Sequence, residues 1–513
     1  MRVAFVAAEV APWCRTGGLG EAVTGLAHAL VRRGVEVHVM APLYRECRRT
    51  LAEAGVAPSR DGAYVELRLG GRRLAGLFRS LPWQAGRPHV HLLEHDAFFD
   101  REGPYGPPGG GAYDDNPVRF AFLSAASLEA GWALCGLPPD VWHAHDWHAA
   151  LLPAHRRRTE THASTPVVLT VHNVSFQGIA PRERLEDMGL DASDWHWERY
   201  EHYDHVNPLK GGIALADAIV APSPSHAREL LEPAGADGLD AVFRAHADRL
   251  HGILNGIDTE AWNPATDPYL PARYDARDPS GKTPCRDALC AELGLEPPAS
   301  DEPVFAVVSR LTWHKGVDWI ADVLPGLLDR GARAVILGRG ERALEERLRA
   351  LAAARPSRLA MRTAFDVGLA HRIFAGADLF LMPSRFEPCG LAQMQAMRYG
   401  TPPVARAVGG LRDTVVDATP EALAQGLATG VLFDEPSAHG LWQACERAWA
   451  LWRDHPWAWR RMMQAGMQRD FGWDGPAAAY HALYDRLVRA SRARRGLDDR
   501  ALRDPHGVGR GGG

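Results

Sequence analysis

A chain of 513 residues exceeds the size at which one hydrophobic core keeps growing, so at least two domains are expected. With 46% hydrophobic residues, 24% charged residues and a formal net charge of −5, the composition gives no electrostatic case for nucleic acid or an anionic membrane as partner. Seven cysteines without a C-x-x-C pair argue against a disulfide framework or zinc site; with no signal-like N-terminus and no expected window of membrane-spanning length, they lead to a cytoplasmic expectation.

In chain order, the apolar run Val3–Ala8 predicts a strand that feeds the loop Pro12–Gly20. From Glu21 to Arg33, Val23, Leu26, Ala27, Leu30 and Val31 recur at helical spacing until Gly34, and residues 35–40 predict another strand. Strand, Gly-rich loop, helix, strand is the first turn of a doubly wound sheet, and Gly17 and Gly18 would let a ligand approach the backbone closely. Residues 60–112 show only short alternating runs (Tyr64–Leu69, His89–Leu93), then a Gly/Pro-rich loop from Gly103 to Gly111 that is a candidate lid. A helix is expected over Asn116–Leu134, followed by a strand ending near Asp146. His143, His145 and His148 invite a metal reading, but strand alternation separates the third from the first two and no carboxylate is spaced to complete a set, so no metal is expected. The buried strand from Thr165 ends at His172 and Asn173; a helix starting at Lys210, a strand over Asp217–Ala221, a helix capped at Ser223 and an Asn255-Gly256 turn follow.

Residues 259–303, rich in Pro, Asp and Ala, read as a connection holding one helix, Lys282–Leu293. The pattern then restarts with strand Val304–Arg310, loop Leu311–Gly316, helix Val317–Asp329 and strand Ala334–Leu337. A further buried strand ends at Pro383 and delivers Ser384-Arg385-Phe386-Glu387-Pro388-Cys389-Gly390-Leu391 ahead of a helix from Ala392. Two helices finish the fold, Ala438–Trp452 with Ser437 as N-cap and Pro476–Ala490. The expected architecture is α/β: two doubly wound Rossmann-like domains facing a central cleft, residues 1–258 and 304–488, joined by 259–303, with a disordered tail over 489–513. The last helix is a candidate to pack back on the first domain.

Ligands of such sheets sit beyond the strand carboxyl ends, where Glu387 and the N–H groups of residues 389–391 are placed to meet one. Arg310 and Lys315, five apart after a strand, suit a pyrophosphate. No phosphate-binding P-loop, kinase catalytic loop or dinucleotide fingerprint is present.

Six segments in register, Arg15-Thr16-Gly17-Gly18-Leu19, His145-Asp146-Trp147-His148, Thr170-Val171-His172-Asn173, Leu254-Asn255-Gly256, Ser309-Arg310-Leu311-Thr312 with Lys315-Gly316, and Pro383–Leu391, resemble those of bacterial glycogen synthases and plant starch synthases. The resemblance implies a GT-B-type retaining glucosyltransferase that moves glucose from ADP-glucose to the non-reducing end of an α-1,4-glucan, with no cofactor or required metal. It places Arg310 and Lys315 on the donor phosphates and Glu387 on the transferring sugar, with Asp146, His172, Asn173 and Asn255 lining the glucosyl pocket. The amides of Cys389, Gly390 and Leu391 would hold sugar or phosphate, and Tyr105 and Phe365 would lie near the nucleotide. Two departures bear on nucleotide preference: Arg15 stands where the family usually has Lys, and Gln395 where many related transferases carry Glu. Two other readings stay open, a same-fold transferase using UDP-glucose and a small acceptor, and a non-catalytic glucan- or nucleotide-binding protein.

Overall fold

Strand β1 (Arg2–Val6) is apolar on both faces because it lies inside a parallel sheet, bonded to β2 (Glu36–Pro42) on one side and β6 (Val141–His145) on the other. The structure, a computed structural model, describes residues 1–503 except 108, 109, 160, 364 and 365, with side chains to residue 494. It divides into two units, the first formed by Met1–Pro222, Ala227–Ile253 and the chain from Trp473, the second by Ser223–His226 and Leu254–Gly472.

In the first unit, β3 (Ala63–Leu69), β4 (Arg72–Ser80), β5 (His89–Glu94), β7 (Val167–Thr170), β11 (Ala218–Ala221) and β12 (Leu250–Gly252) complete a nine-stranded sheet among the described residues, ordered β12-β11-β7-β6-β1-β2-β5-β4-β3. Short strands β8 (Ala180–Pro181), β9 (Glu201–His202) and β10 (His205–Val206) form a separate three-stranded sheet. The parallel part is doubly wound about β1, and β4 and β3 add an antiparallel edge. The hairpin between them turns on Gly70 (φ 53°) and Gly71 (φ 75°), both in the left-handed region that a two-residue hairpin loop of this type demands. This edge is what the weak alternation of residues 60–112 had left unplaced.

Helix Asn116–Cys135 corrects one expectation: it is long and apolar enough to cross a membrane, but 72% of that window is buried, so it is a core helix of the first unit. Helix Asp474–Arg503 also belongs to this unit. Its Tyr484 hydroxyl lies 2.7 Å from His143 Nδ1, its Tyr480 hydroxyl 3.2 Å from Thr170 Oγ1, and Ser491 Oγ donates to the Ser164 carbonyl at 2.6 Å. The expected disordered tail from 489 is therefore helical to Arg503; residues 504–513 lie outside the described residues.

The second unit is a six-stranded parallel sheet among the described residues, β15-β14-β13-β16-β17-β18, with β13 (Val304–Val308), β14 (Arg333–Leu337), β15 (Leu359–Arg362), β16 (Leu379–Met382), β17 (Pro403–Arg406) and β18 (Val431–Phe433). That order reverses beside its first strand, as in the Rossmann pattern. Residues 259–303 are not a separate connection: Tyr274, Cys285, Leu289, Cys290 and Leu293 pack in one core with Val304, Ile373, Phe374 and Phe380. Lys282, buried at the start of helix Lys282–Leu293, points its Nζ at the carbonyls of Phe374 (3.3 Å), Ala375 (2.9 Å) and Tyr399 (3.1 Å) and at Thr401 Oγ1 (2.7 Å). Phe374 and Ala375 close helix Val367–Gly376, so the ammonium satisfies carbonyls its last turn leaves open. The main segment of the unit starts at Leu254, which moves Asn255 out of the domain expected to end at 258.

Among the described residues the chain ends in three helices, not two: Ala438–Asp454, Pro456–Gln468 and Asp474–Arg503. Ser437 Oγ does cap the first, accepting the Gly440 N–H at 3.0 Å.

Candidate functional site

The first unit gathers its polar groups beyond the carboxyl ends of β1, β6 and β7. Asp146 has φ 58° and ψ −175°, a conformation that costs a non-glycine residue on the order of 1–3 kcal/mol and persists only where the surroundings impose it. Here they do: Asp146 Oδ1 accepts the backbone N–H groups of His172 (2.6 Å) and Asn173 (3.2 Å), while the Asp146 N–H donates to the Thr170 carbonyl (2.8 Å). Burial pushes the Asp146 carboxyl up to about 7 against the pull of those N–H groups. His172, whose pKa burial lowers to about 4, is a neutral imidazole near pH 7. Its Nε2 lies 3.1 Å from His145 Nδ1, and His145 Nε2 is buried with no partner among the described residues. A bare ring nitrogen is cheaper to bury unpaired than an N–H, which assigns the shared proton to His145 and leaves His172 Nδ1–H as a donor. Asn173 Oδ1 accepts from the Ser175 N–H (3.0 Å), so its loop is braced at both ends.

Glu9, at the end of β1, collects Thr16 N–H (2.8 Å), Thr16 Oγ1–H (2.6 Å) and the Tyr105 hydroxyl (2.6 Å). It orders the loop before Gly17, the N-cap of helix Gly18–Arg32, where a Cβ would meet nothing within 4 Å. The space beside Gly17, at the N-terminus of that 15-residue helix, is therefore not filled by other described residues. Arg15 pairs with Glu21 at 2.8 Å. Tyr105 belongs to this cluster through Glu9 and through its ring against His148, 4.9 Å between centroids. His143 is no free ligand: its Nε2 contacts Thr170 Oγ1 (2.7 Å) and its Nδ1 Tyr484.

In the second unit the organising contact is an ion pair. Lys315 Nζ lies 2.5 Å from Glu387 Oε2, which also accepts from Ser384 Oγ at 2.9 Å. A cavity of about 70 Å³, bordered by Ser309, Lys315, Ser384, Glu387, Gly390 and Leu391, adjoins the pair and is too small for a sugar. Arg310 is exposed in the same loop; its carbonyl accepts from Thr312 N–H at 3.0 Å, while its guanidinium has no ion-pair or hydrogen-bond partner among the described residues. Arg385 locks the two loops together: it grips Asp318 bidentately at 2.6 and 2.7 Å and lies over Trp313 (4.3 Å) and Trp319 (3.8 Å). Gly316 is required where the loops touch, since at φ 67° a Cβ would lie 2.2 Å from the Pro383 carbonyl oxygen. Beyond Glu387, burial pushes the Cys389 thiol up to about 12, so Cys389 shapes the loop and offers no thiolate. Leu254 and Ile257, which flank Asn255, pack in one cluster with Cys389 and Leu391, and this brings Asn255 to the Cys389-Gly390-Leu391 segment. Gln393 Nε2 holds the Cys389 (3.1 Å) and Gly390 (2.9 Å) carbonyls from below.

The structure thus groups Asp146, His172 and Asn173; Arg15, Gly17, Gly18 and Tyr105; and Lys315 with Glu387, Asn255, Cys389, Gly390 and Leu391. Phe365 lies outside the described residues. Glu9 and Asp318 were missed, and His145, Ser384 and Arg385 were read within motifs without a role of their own. Glu9 had a signal, an acid closing an apolar strand, and Ser384 stands three residues before Glu387; His145, Asp318 and Arg385 act through neighbours remote in sequence.

The family profile described as starch synthase catalytic domain matches residues 2–245, and that of glycosyl transferases group 1 matches residues 296–454. A glycogen synthase of Anaeromyxobacter dehalogenans (strain 2CP-1) is 45% identical over 95% of this chain and 99% of its own length. Glycogen synthase 2 of Geobacter sulfurreducens is 41% identical over 94% and 98%. The catalytic domain of Arabidopsis thaliana starch synthase IV, bound to ADP and acarbose, superposes with a TM-score of 0.86 at 32% identity, covering 95% of this chain and 99% of that one. A Thermosynechococcus elongatus sucrose-phosphate synthase, TM-score 0.58 at 18% identity, shares the fold alone. With two glycosyltransferase domains in sequence and near-complete coverage of its relatives, the chain belongs to the glycogen synthase family, glycosyltransferases of the GT-B fold.

Proposed function

We propose that this glycogen synthase uses ADP-glucose as donor and the non-reducing end of an α-1,4-glucan as acceptor, with retention of configuration and without a required metal or cofactor. The observation that carries the reading is the Lys315–Glu387 pair together with the exposed Arg310 guanidinium in the same loop as Lys315. The bond from the anomeric carbon to the donor's β-phosphate breaks and a bond to the acceptor 4-oxygen forms. Negative charge grows on the departing phosphate, where Arg310 and Lys315 serve. Positive charge grows on the sugar ring, which Glu387 offsets. The acceptor hydroxyl's proton passes to the leaving phosphate, and attack from that same side retains configuration. Asp146, His172, Asn173 and Asn255 position the glucosyl unit through hydrogen bonds, and preorganised groups of this kind supply several kcal/mol of transition-state stabilisation. The Arabidopsis relative's bound ADP supports an adenine nucleotide, while Arg15 and Gln395 are the positions that would shift the preference. Seven buried, free cysteines suit the reducing environment of the cytoplasm.

The test is initial-rate ADP or UDP release from ADP-glucose and UDP-glucose, with glycogen and with small acceptors. ADP release with glycogen is expected to dominate. Release from neither donor would reject the proposal, and UDP-glucose with a small acceptor as the best pair would replace it.

A further inference from the structure

At the amino-terminal ends of β2 and β5, far along the strands from Asp146 and His172, a second cluster has no part in glucosyl transfer. We propose that Glu36, His38 and His89 bind a divalent transition-metal ion of the zinc, cobalt, nickel or copper type. His38 faces His89 across the parallel pair of strands, and Glu36 precedes His38 by two residues on the same sheet face. One donor atom from each of the three lies within 4.8 Å of the others.

The spacing suits an ion. Two ligands about 2.0–2.1 Å from a tetrahedral ion stand roughly 3.3 Å apart, and Glu36 Oε1 and His38 Nε2 are already 3.0 Å apart. The outer contacts are those that orient metal-binding histidines. His38 Nδ1 meets His91 Nε2 at 3.0 Å, and His91 Nδ1 meets Ser80 Oγ at 2.8 Å, a relay that can take its proton inward and leave Nε2 bare. Arg2 holds Glu36 Oε2 at 2.8 Å, so Oε1 is the oxygen left to coordinate. The His89 ring makes no hydrogen bond among the described residues; it stacks between Trp83 (5.2 Å) and His38 (4.6 Å) and must tilt out of that stack to coordinate. Glu36, its side chain 41% exposed, opens the cluster to solvent, which supplies the remaining ligand position. Two imidazoles and one carboxylate without cysteine favour borderline ions over magnesium or calcium. The ion would tie β2 to β5 within one sheet, stabilising the native chain by binding it and not the unfolded one.

Full-length protein stripped with a chelator is titrated with zinc by calorimetry and with cobalt(II) by visible absorption. One site giving a tetrahedral cobalt spectrum is expected, with affinity weakened at least tenfold in Glu36→Gln and in His89→Gln. Both side chains are partly exposed, and circular dichroism and basal glucosyl transfer confirm folding. Unchanged titrations in both folded variants would overturn the proposal by placing the ion on others of the 23 histidines. So would no binding to the stripped protein.

Discussion

At the ends of β6 and β7 the first unit buries ionisable groups, which favours their uncharged forms: His172 falls to about 4, Asp146 rises to about 7, and the imidazoles of His143 and His145 are driven far below their usual range. At the ends of β13 and β16 the second unit brings opposite charges together, Lys315 on Glu387 and Arg385 on Asp318. The two sheets share one winding, so winding does not account for the contrast. Burial without a counter-charge favours neutral donors and acceptors, suited to hydroxyl-rich sugar, whereas paired charges give a fixed electrostatic surface.

The contrast breaks most visibly if the second unit's acid is removed. Glu387→Ala is expected to lower kcat by about 10²–10³-fold, as loss of one transition-state contact does. Unchanged turnover would show that Glu387 makes no transition-state contact. Lys282→Met asks whether a buried charge held by carbonyl oxygens matters to that unit's core. Leaving its acceptors unsatisfied should cost about 2–3 kcal/mol in urea unfolding, and a loss below 0.5 kcal/mol, about the size of an ordinary surface substitution, would show that the ammonium is dispensable. Lys315→Met leaves Glu387 without its cation, and a fall of about tenfold in kcat/KM for the nucleotide sugar is expected; an effect on glucan KM alone would contradict a donor-side role.

The smallest effect sharpens the first unit's side. The Asp146 carboxyl titrates at about 7 when folded but near 3.9 unfolded, so the native state holds the extra proton between those values. Its contribution to stability is complete below about pH 4 and lost as pH rises through about 7. Asp146→Asn, whose side-chain oxygen can still accept the two N–H groups, should flatten the stability profile across that window. Identical urea-midpoint slopes for both proteins would mean that Asp146 is ionised throughout.

Helices that alternate with strands were legible in sequence: Lys282–Leu293 and Val317–Asp329 fall where spacing places them, because their apolar faces face one sheet. Of the hairpin edge, β3 showed as the alternating run Tyr64–Leu69, but β4 and their pairing did not. Residues 259–303 misled because Pro- and Asp-rich loops resemble a linker while single residues such as Tyr274 and Leu289 enter a core assembled from distant strands.

What the sequence determined by itself was the succession of buried strands and the polar residues at their carboxyl ends, because apolar runs and motif residues are local properties. Only the tertiary structure decided that Asn255 joins the Glu387 loop, that the chain from Trp473 returns to the first unit, and that Asp146 adopts its strained backbone to hold His172. Each depends on hydrogen bonds and burial between residues far apart in sequence, which no local pattern encodes.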